Sequence, residues 1–343
     1  MHEQTRRDFL RTTAAGVAAG SVLHMTGTAS GRTGGGAFEL EKRRLGRTGM
    51  EVTVLGFGGA EVGYGRTEQA IVDELLNSAL DQGLDAIDTA ECYAISEDLI
   101  GSAVSHRRDD YFLFTKVGHW APEGVDGWSA KGVAASIERS LQRLKTDHVD
   151  LVHLHSCALD VLEKGEATEA LEKAKAQGKT RFIGYSGDSL AARFAVETGR
   201  FDTLMTSISI CDQEAIELTL PLCREKDMGV IVKRGIANAV WRYDSEPEQG
   251  YHKEYYRRLK ELDYDFTKGA AREDTGPDGA AGVAMRFVLG LPGVHTTVIG
   301  TTNPKRFAQN AELANAGPLP AAQVEAIRAR WKEVAKADWV GQI

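Results

Sequence analysis

The sequence predicts an α/β protein of the (β/α)8 TIM-barrel class, with eight parallel strands closed into a barrel inside a ring of helices. Eight short apolar runs follow one another along the chain, and longer segments between them repeat apolar residues at steps of three and four. This alternation is typical of a parallel sheet covered by helices. The chain length of 343 residues accommodates one barrel of about 250 residues with additional segments.

Eight runs are assigned to strands, and four of the segments between them show the clearest helical pattern. The predicted strands cover residues 52–57, 83–88, 111–116, 149–155, 180–185, 203–210, 229–233 and 295–300. The helical pattern is found at residues 68–81, 129–144, 166–177 and 214–225. In such a barrel we expect the chemistry where strands end and loops begin.

Two segments depart from the strand-and-helix repeat. Residues 42–50 contain Gly46 and Thr48-Gly49 between short apolar positions, which predicts an N-terminal β-hairpin that closes the bottom of the barrel. Residues 236–279 are too many for an ordinary connection and predict a long loop after the seventh strand. It either closes over a site at the C-terminal rim or forms a helical surface insertion. Its aromatic residues are Trp241, Tyr243, Tyr251, Tyr255, Tyr256 and Tyr264.

Residues 1–36 are not assigned to the barrel, which is predicted to span residues 37–343. The pair Arg6-Arg7 precedes an uncharged stretch at residues 12–22 and small residues at 27–29. This order resembles a twin-arginine export signal followed by a flexible spacer. It implies export by the twin-arginine machinery to the periplasm or the extracellular space. The stretch is too short for a membrane anchor, and the alternative is an amphipathic or disordered N-terminus.

Composition and charge disfavour several classes of function. The 41 Lys and Arg residues against 49 Asp and Glu residues give a formal net charge of -8, which disfavours a nucleic-acid partner. Four cysteines stand far apart, without the spacing of a disulfide framework or a zinc site: Cys92, Cys157, Cys211 and Cys223. We therefore predict isolated buried thiols and no bound metal. The sequence gives no indication of the oligomeric state.

Four residues at the predicted strand ends suggest proton-transfer chemistry. Asp88 ends the second strand and Tyr93 follows it, while Lys116 and His155 end the third and fourth strands. Each alone has a structural explanation, as a helix cap, a rim aromatic, a surface amine or a core imidazole. Together they suit a phenol that transfers protons, because an ammonium within about 4–6 Å lowers the pKa of tyrosine from about 10. Asp88 would keep Lys116 charged, and His155 would hold a carbonyl oxygen.

The segment around these residues resembles the aldo-keto reductase superfamily. Asp88-Thr89-Ala90-Glu91-Cys92-Tyr93, followed by Ser96-Glu97, is similar to the family's Asp-Thr-Ala-x-x-Tyr-Gly-x-Ser-Glu block, with Ala94 where Gly is usual. The similarity extends over residues 43–310. The resemblance implies a nicotinamide-dependent enzyme that reduces small carbonyl substrates or oxidises the corresponding alcohols, with Tyr93 as its general acid and base.

The resemblance places the cofactor on the later strand ends, where this chain departs from the family. Ser186 is followed by Gly187 instead of Asn, and Ser207 stands in place of the usual Gln. Lys233-Arg234 occupies the position where an aromatic ring often stacks on the nicotinamide. We expect Lys233 to contact the pyrophosphate or to pair with a loop carboxylate.

The last strand and helix resemble the family segment that binds the adenosine phosphate. The matching positions are Gly300, where many members have Lys, and Thr301, Arg306 and Asn310. Amides at the start of a helix suit a phosphate, and Arg306 either pairs with a 2′-phosphate or is a solvated cation. NADP is therefore favoured, with NAD as the alternative. Near the substrate, Trp120 is either a wall of the pocket or a packing residue.

Two other functions stay open on the sequence. His153 and His155 place two imidazoles on one side of a strand, as in barrel hydrolases that bind a metal ion. The changed contacts at Gly187, Ser207 and Lys233 instead suggest a module that binds the nicotinamide nucleotide with little turnover. For the reductase, sugars, aldehydes and quinones are equally compatible substrates.

Overall fold

Eight parallel strands close into a barrel in the computed structural model, which describes residues 38–248 and 250–342. Each barrel strand is parallel to both of its neighbours. The (β/α)8 barrel predicted from the sequence is therefore confirmed. The strands within the described residues are β1 (Lys42–Arg44), β2 (Glu51–Thr53), β3 (Leu55–Gly58), β4 (Ala86–Asp88), β5 (Phe112–Val117), β6 (Val149–His155), β7 (Thr180–Ser186), β8 (Thr203–Ser207), β9 (Gly229–Lys233) and β10 (Thr296–Ile299). Around the barrel their order is β10-β3-β4-β5-β6-β7-β8-β9.

Helices surround the barrel and build its connections. Those in the described part of the chain are α1 (Ala60–Tyr64), α2 (Gln69–Asp81), α3 (Ser96–Val104), α4 (Ala130–Leu144), α5 (Leu159–Lys164), α6 (Glu166–Ala176), α7 (Ser189–Thr198), α8 (Glu214–Leu218), α9 (Leu220–Glu225), α10 (Gly250–Leu262), α11 (Gly269–Glu273), α12 (Ala280–Leu289), α13 (Arg306–Ala314) and α14 (Ala321–Val334). Short 3-10 helices are formed by Gly46–Thr48, Ser105–Asp110, Ala237–Arg242 and Asp265–Thr267.

Helix α4 shows how the helical pattern covers the barrel. Val133, Ile137 and Leu141 recur at steps of four and are buried, because residues at that spacing share one helix face. The helix begins where Ser129 Oγ accepts a hydrogen bond from the backbone N–H of Gly132 at 3.1 Å. The periodicity seen in the sequence thus becomes the apolar face that packs toward the strands.

The predicted hairpin closes the N-terminal end of the barrel. Strands β1 and β2 pair antiparallel, and Leu45 and Met50 from the turn between them belong to the apolar cluster inside the barrel. Gly46 has a positive φ of 50°, and a Cβ atom there would lie 2.2 Å from the backbone nitrogen of Gly229. The turn therefore needs glycine to approach the first residue of β9.

Three predicted strands differ from the observed ones by more than one residue, and the second, residues 83–88, begins only at Ala86. The first, residues 52–57, divides into β2 of the hairpin and β3 of the barrel. Thr53 at this division donates its backbone N–H and its Oγ1 hydrogen to Asp85 Oδ1, which turns the chain toward the start of β4. The sixth, residues 203–210, ends at Ser207 because the chain then folds back in a bridge between Ser209 and Asp212.

The segment after β9 is largely helical, so the helical alternative for residues 236–279 is the one observed. It contains the 3-10 helix Ala237–Arg242 together with α10 and α11. Two side chains of α10 nevertheless reach the C-terminal end of the barrel. The Tyr251 ring centroid lies 3.9 Å from the Arg234 guanidinium carbon, and the Tyr255 hydroxyl donates to Asp212 Oδ2 at 3.0 Å.

The predicted export signal and spacer, residues 1–36, lie outside the described residues. Export stays a prediction, which fractionation of cells that produce the full chain will test. Among the helices that the structure describes, none combines the length and the apolar character needed to cross a bilayer.

Candidate active site

The four residues predicted to transfer the proton lie together at the C-terminal end of the barrel, and we call them the proton-transfer side. Asp88 and His155 are the last residues of β4 and β6, and Lys116 lies one residue before the end of β5. Tyr93 lies in the loop between β4 and α3. The Lys116 Nζ atom is 4.8 Å from the Tyr93 ring centroid, and the Tyr93 and His155 ring centroids are 5.5 Å apart. The parallel strands thus bring distant residues to one rim.

Lys116 and Asp88 form a buried ion pair beside the phenol. The Lys116 Nζ donates to Asp88 Oδ2 at 2.6 Å and to the carbonyl oxygen of Thr89 at 2.8 Å. The two side chains are only 1% and 4% exposed. Burial raises the pKa of Asp88, and the charge of Lys116 opposes that rise. Asp88 is therefore positioned to hold Lys116 in place, as the sequence suggests.

The predicted lowering of the Tyr93 pKa is wrong, because the net shift is upward. Burial first, and then the charge of Asp88, raise the pKa of Tyr93 well above its usual value of 10.0. The loss of hydration penalises the phenolate, and the nearby carboxylate of Asp88 adds to that penalty. Arg234 opposes the rise without reversing it. Tyr93 is therefore a protonated phenol at neutral pH, which suits a proton donor.

The loop that carries Tyr93 is bonded to Arg143 on a neighbouring helix, and its backbone is strained at Ala94. The guanidinium of Arg143, on α4, donates to the carbonyl oxygens of Glu91 and Ala94. Ala94 has a φ of 49°, a left-handed conformation that costs a residue with a Cβ atom about 1–2 kcal/mol. Ala94 stands where the block that this sequence resembles usually has Gly, so this departure has a structural cost.

The surroundings of His155 include three residues that sequence reasoning missed. The ring centroid of His119 lies 4.9 Å from that of His155 and 5.1 Å from that of Trp128, and both pairs meet edge to face. The Sγ atom of Cys92 lies 3.3 Å from His155 Nδ1. His119 and Trp128 both lie in the connection between β5 and α4, and this shared loop was the signal available in the sequence.

Trp120, the tryptophan predicted as a possible pocket wall, packs against Arg139. Its ring is covered by the guanidinium of Arg139, whose carbon is 4.2 Å from the ring centroid. This contact corresponds to the packing alternative, and Trp128 is the tryptophan that stands beside His119.

On the opposite part of the rim, β7 to β9 bring together a charged network. Asp188 follows β7 and accepts hydrogen bonds from Lys233 Nζ at 2.7 Å, Thr206 Oγ1 at 2.8 Å and the backbone N–H of Ser207 at 2.7 Å. Burial acts to raise the pKa of Asp188, but the charges of Lys233 and then Arg234 outweigh it and lower that pKa. Lys233 thus pairs with a loop carboxylate, one of the two partners expected from the sequence. We call Ser186, Asp188, Lys233 and Arg234 the cofactor side.

Arg234 connects this network to two distant segments. Its guanidinium carbon lies 3.9 Å from the ring centroid of Tyr251, and its Nη1 donates to Ser207 Oγ at 2.7 Å and to the carbonyl oxygen of Gln342. A stacked guanidinium therefore stands near the position where the family often has an aromatic ring. Asp188 was missed on the sequence because it lies in no recognisable motif, whereas Tyr251 is one of the aromatic residues noted in the long segment after the seventh strand.

The predicted phosphate segment lies after β10. A Cβ atom added to Gly300 would lie 3.0 Å from the carbonyl oxygen of Gly58, so the two backbones approach closely. Thr301 lies in the connection to α13, Arg306 begins that helix, and Asn310 is buried one turn later. Arg306 forms no ion pair within residues 38–248 and 250–342. Its side chain is therefore available for an anionic ligand.

His153 does not join His155 in a shared site. Its Nε2 lies 3.1 Å from Thr203 Oγ1 inside the barrel, whereas His155 contacts Cys92 at the rim. Burial first, and then the charge of Lys116, lower the pKa of His153 well below its usual range. In the described part of the chain no group of three His, Cys, Asp or Glu side chains is arranged to hold a metal ion. The geometry gives the hydrolase alternative no support.

The pattern of the aldo/keto reductase family matches residues 54–332. This chain belongs to the aldo/keto reductase family. The matched region contains the whole barrel rim described above, from Asp88 to Arg306. This aldo/keto reductase is therefore an oxidoreductase, as the resemblance in the sequence implies.

Relatives and solved structures agree with this assignment. The reductase is 30% identical over 325 residues to D-threo-aldose 1-dehydrogenase of a Pseudomonas species, which covers 84% of this chain and 95% of the relative. It is 32% identical over 225 residues to L-galactose dehydrogenase of Arabidopsis thaliana, covering 61% and 70%. Among solved structures it resembles the holo form of aldo-keto reductase AKR11C1 from Bacillus halodurans, with 28% identity, a TM-score of 0.71 and coverage of 88% of this chain and 99% of that one.

The residues of this aldo/keto reductase fit a nicotinamide nucleotide. Two buried oxygens at the rim, Asp88 Oδ1 and Ser186 Oγ, have no hydrogen-bond partner among the described residues. Leaving such groups unsatisfied costs about 1–3 kcal/mol each, and a polar ligand at the rim can supply the missing partners. Gly58 and Gly300 let two backbones approach closely beside the predicted phosphate segment. Ser186, Lys233 and Arg306 are thus placed to hold such a cofactor along one side of the rim.

Proposed function

We propose that this reductase uses NADP to reduce small aldehydes or ketones, with Tyr93 as the proton donor. The observation that carries the proposal is the position of Tyr93, whose ring centroid lies 4.8 Å from Lys116 Nζ and thus beside the buried pair of Lys116 and Asp88. A general acid must still hold its proton at the working pH, and the raised pKa of Tyr93 meets that requirement.

The side chains divide the reaction between them. The bound nicotinamide cofactor supplies a hydride for the carbonyl carbon. Tyr93 transfers its phenolic proton to the carbonyl oxygen, which completes the alcohol. His155, edge-on to Tyr93, holds that oxygen by a hydrogen bond, and Lys116 stabilises the negative charge left on the phenol oxygen. Asp88 keeps Lys116 positioned through the 2.6 Å hydrogen bond.

Arg306 supports NADP as the preferred nucleotide. Its guanidinium lies at the start of α13 and has no ion-pair partner within the described residues. A guanidinium pairs well with a 2′-phosphate, which NAD lacks. Thr301, Gly300 and Asn310 complete the proposed adenosine-phosphate segment, while Ser186 and Lys233 would hold the nicotinamide half.

The raised pKa of the same phenol bears on the pH at which each direction of the reaction is fast. Two relatives are named dehydrogenases of aldose sugars, and oxidation of an alcohol requires a base in place of an acid. Because burial raises the pKa of Tyr93, we propose reduction as the activity near neutral pH. Alcohol oxidation by this chain is then favoured by alkaline conditions.

The variant Tyr93→Phe tests the proposal, because it removes the transferable proton and keeps the ring. We expect kcat for aldehyde reduction to fall by about 100-fold or more, while the Kd for NADPH stays nearly unchanged. The assay follows NADPH absorbance with a panel of aldehydes, and Tyr243→Phe, at a tyrosine that is 41% exposed, is the matched control.

Each other outcome has a different meaning. Retained turnover in Tyr93→Phe would show that another group donates the proton. Binding of NADPH by the unmodified protein without turnover of any carbonyl would favour the nucleotide-binding module. Ester or amide cleavage that depends on added metal would favour a hydrolase.

A further inference from the structure

A thiol lies against the histidine that is proposed to hold the substrate carbonyl. The Cys92 Sγ atom is 3.3 Å from His155 Nδ1, a short separation for a hydrogen bond that involves sulfur. Cys92 belongs to the loop after β4, whereas His155 ends β6, so the contact joins two different strand ends. Both side chains are partly buried, which limits the competition from water.

We infer that Cys92 is a positioning residue that fixes the tautomer of His155. A neutral imidazole has one N–H donor and one acceptor nitrogen, and the hydrogen bond made by one nitrogen decides which nitrogen carries the proton. A thiol is a weak donor and a weak acceptor, but the lone pair of an imidazole nitrogen is a much better acceptor than a thiol sulfur, so the favourable arrangement is an S–H donor on Cys92 and an acceptor at Nδ1. The ring proton of His155 then lies on Nε2.

This tautomer matches the proposed role of His155. A substrate carbonyl oxygen only accepts hydrogen bonds, so the histidine must present an N–H group to it. The thiol at Nδ1 leaves Nε2–H as the donor of the ring. The inference rests on the proposed function, and it adds a reason why Cys92 precedes the proton donor in the loop after β4.

The neighbouring rings keep the imidazole in one orientation. His119 meets His155 at an interplanar angle of 69°, with 4.9 Å between ring centroids, and Tyr93 meets it at 81° and 5.5 Å. A rotation of the His155 ring out of this plane would take Nδ1 away from the Cys92 Sγ atom and is opposed by these contacts. Packing thus sets the plane of the ring, and Cys92 sets the position of its proton.

Nitrogen NMR of histidine-labelled protein tests the inference without any turnover. We expect His155, assigned by comparison with His155→Gln, to carry its proton on Nε2 in the unmodified chain. Cys92→Val keeps an apolar side chain of similar size and removes the S–H donor, so His155 should become a mixture of tautomers. Cys92→Ser keeps a donor and should restore the Nε2–H form. The resonances of His153, bonded to Thr203, are the internal control.

Steady-state kinetics provide the second readout. We expect kcat/KM for carbonyl reduction to fall by about 2- to 10-fold in Cys92→Val, the range of one neutral hydrogen bond, and to recover at least in part in Cys92→Ser. The Kd for NADPH should stay the same in both variants. An equal loss in Val and Ser variants would indicate packing alone and would overturn the inference.

The NMR outcomes separate this inference from the proposed function. A proton on Nδ1 in the unmodified chain, both nitrogens protonated beside a thiolate, or an unchanged tautomer in Cys92→Val would each overturn it, even in an active reductase. A tautomer that depends on Cys92 in a protein that turns over no carbonyl would instead remove the proposed function and leave the structural assignment of Cys92 intact.

Discussion

The two sides of the barrel mouth are built in different ways. On the proton-transfer side, Asp88 holds one cation, Lys116, in a pair that is almost fully buried. On the cofactor side, Asp188 is bonded to Lys233, Thr206 and Ser207, with Arg234 nearby at 4.0 Å. The first carboxylate therefore depends on a single partner, and the second shares its charge among several.

The two sides also differ in which segments of the chain contribute their residues. Asp88 and Tyr93 lie five residues apart, so one motif carries two of the four members of the proton-transfer side. The cofactor side takes Asp188 from the loop after β7, Arg234 from the residue after β9 and a carbonyl oxygen from Gln342. A carboxylate with one charged partner is expected to be sensitive to the loss of that partner, whereas a carboxylate with several donors is expected to tolerate the loss of one of them.

Removing each lysine is the strongest test of the comparison. We expect Lys116→Met to lower the free energy of unfolding by about 3–5 kcal/mol, because it leaves the buried carboxylate of Asp88 without its cation. Lys233→Met should cost less, about 1–3 kcal/mol, because Asp188 keeps the donors on Thr206 and Ser207. Urea denaturation measures both values.

The double variant Asp88→Asn with Lys116→Met is the control for charge. It removes both members of the pair, so most of the lost stability should return, while carbonyl reduction stays at the low level of Lys116→Met. If Lys116→Met and Lys233→Met destabilise the protein equally, the two carboxylates do not differ in their dependence on one partner, and the comparison fails.

The second test concerns nucleotide choice on the cofactor side. Arg306→Ala should weaken NADPH binding by about 10- to 100-fold, since charge-assisted hydrogen bonds contribute about 1.5–3 kcal/mol, and should leave NADH binding nearly unchanged. Fluorescence titration with each nucleotide measures the two Kd values and hence the difference between them. Lys305→Ala removes the same charge from the neighbouring exposed position and should affect NADPH less. Equal loss of NADPH and NADH in Arg306→Ala would remove the argument for the 2′-phosphate.

The sequence was sufficient for the barrel and for the membership of the proton-transfer side. Strand ends carry Asp88, Lys116 and His155 to one rim whatever the details of packing, so their meeting follows from the topology. The pKa of Tyr93 could not be predicted, because its sign depends on burial outweighing charge. The sequence also could not identify Asp188 as the partner of Lys233, because their contact requires the loop after β7 to cross β8 and reach β9.

The smallest expected effect lies in the strained turn behind Tyr93. Ala94 has a φ of 49°, which glycine adopts without the Cβ penalty, so Ala94→Gly should raise the free energy of unfolding by about 1 kcal/mol. Ala90→Gly, at a fully buried position of the same loop, should instead destabilise the protein. A loss of kcat in the more stable Ala94→Gly would show that strain in this loop helps to position the proton donor, and equal destabilisation by both changes would disprove the strain.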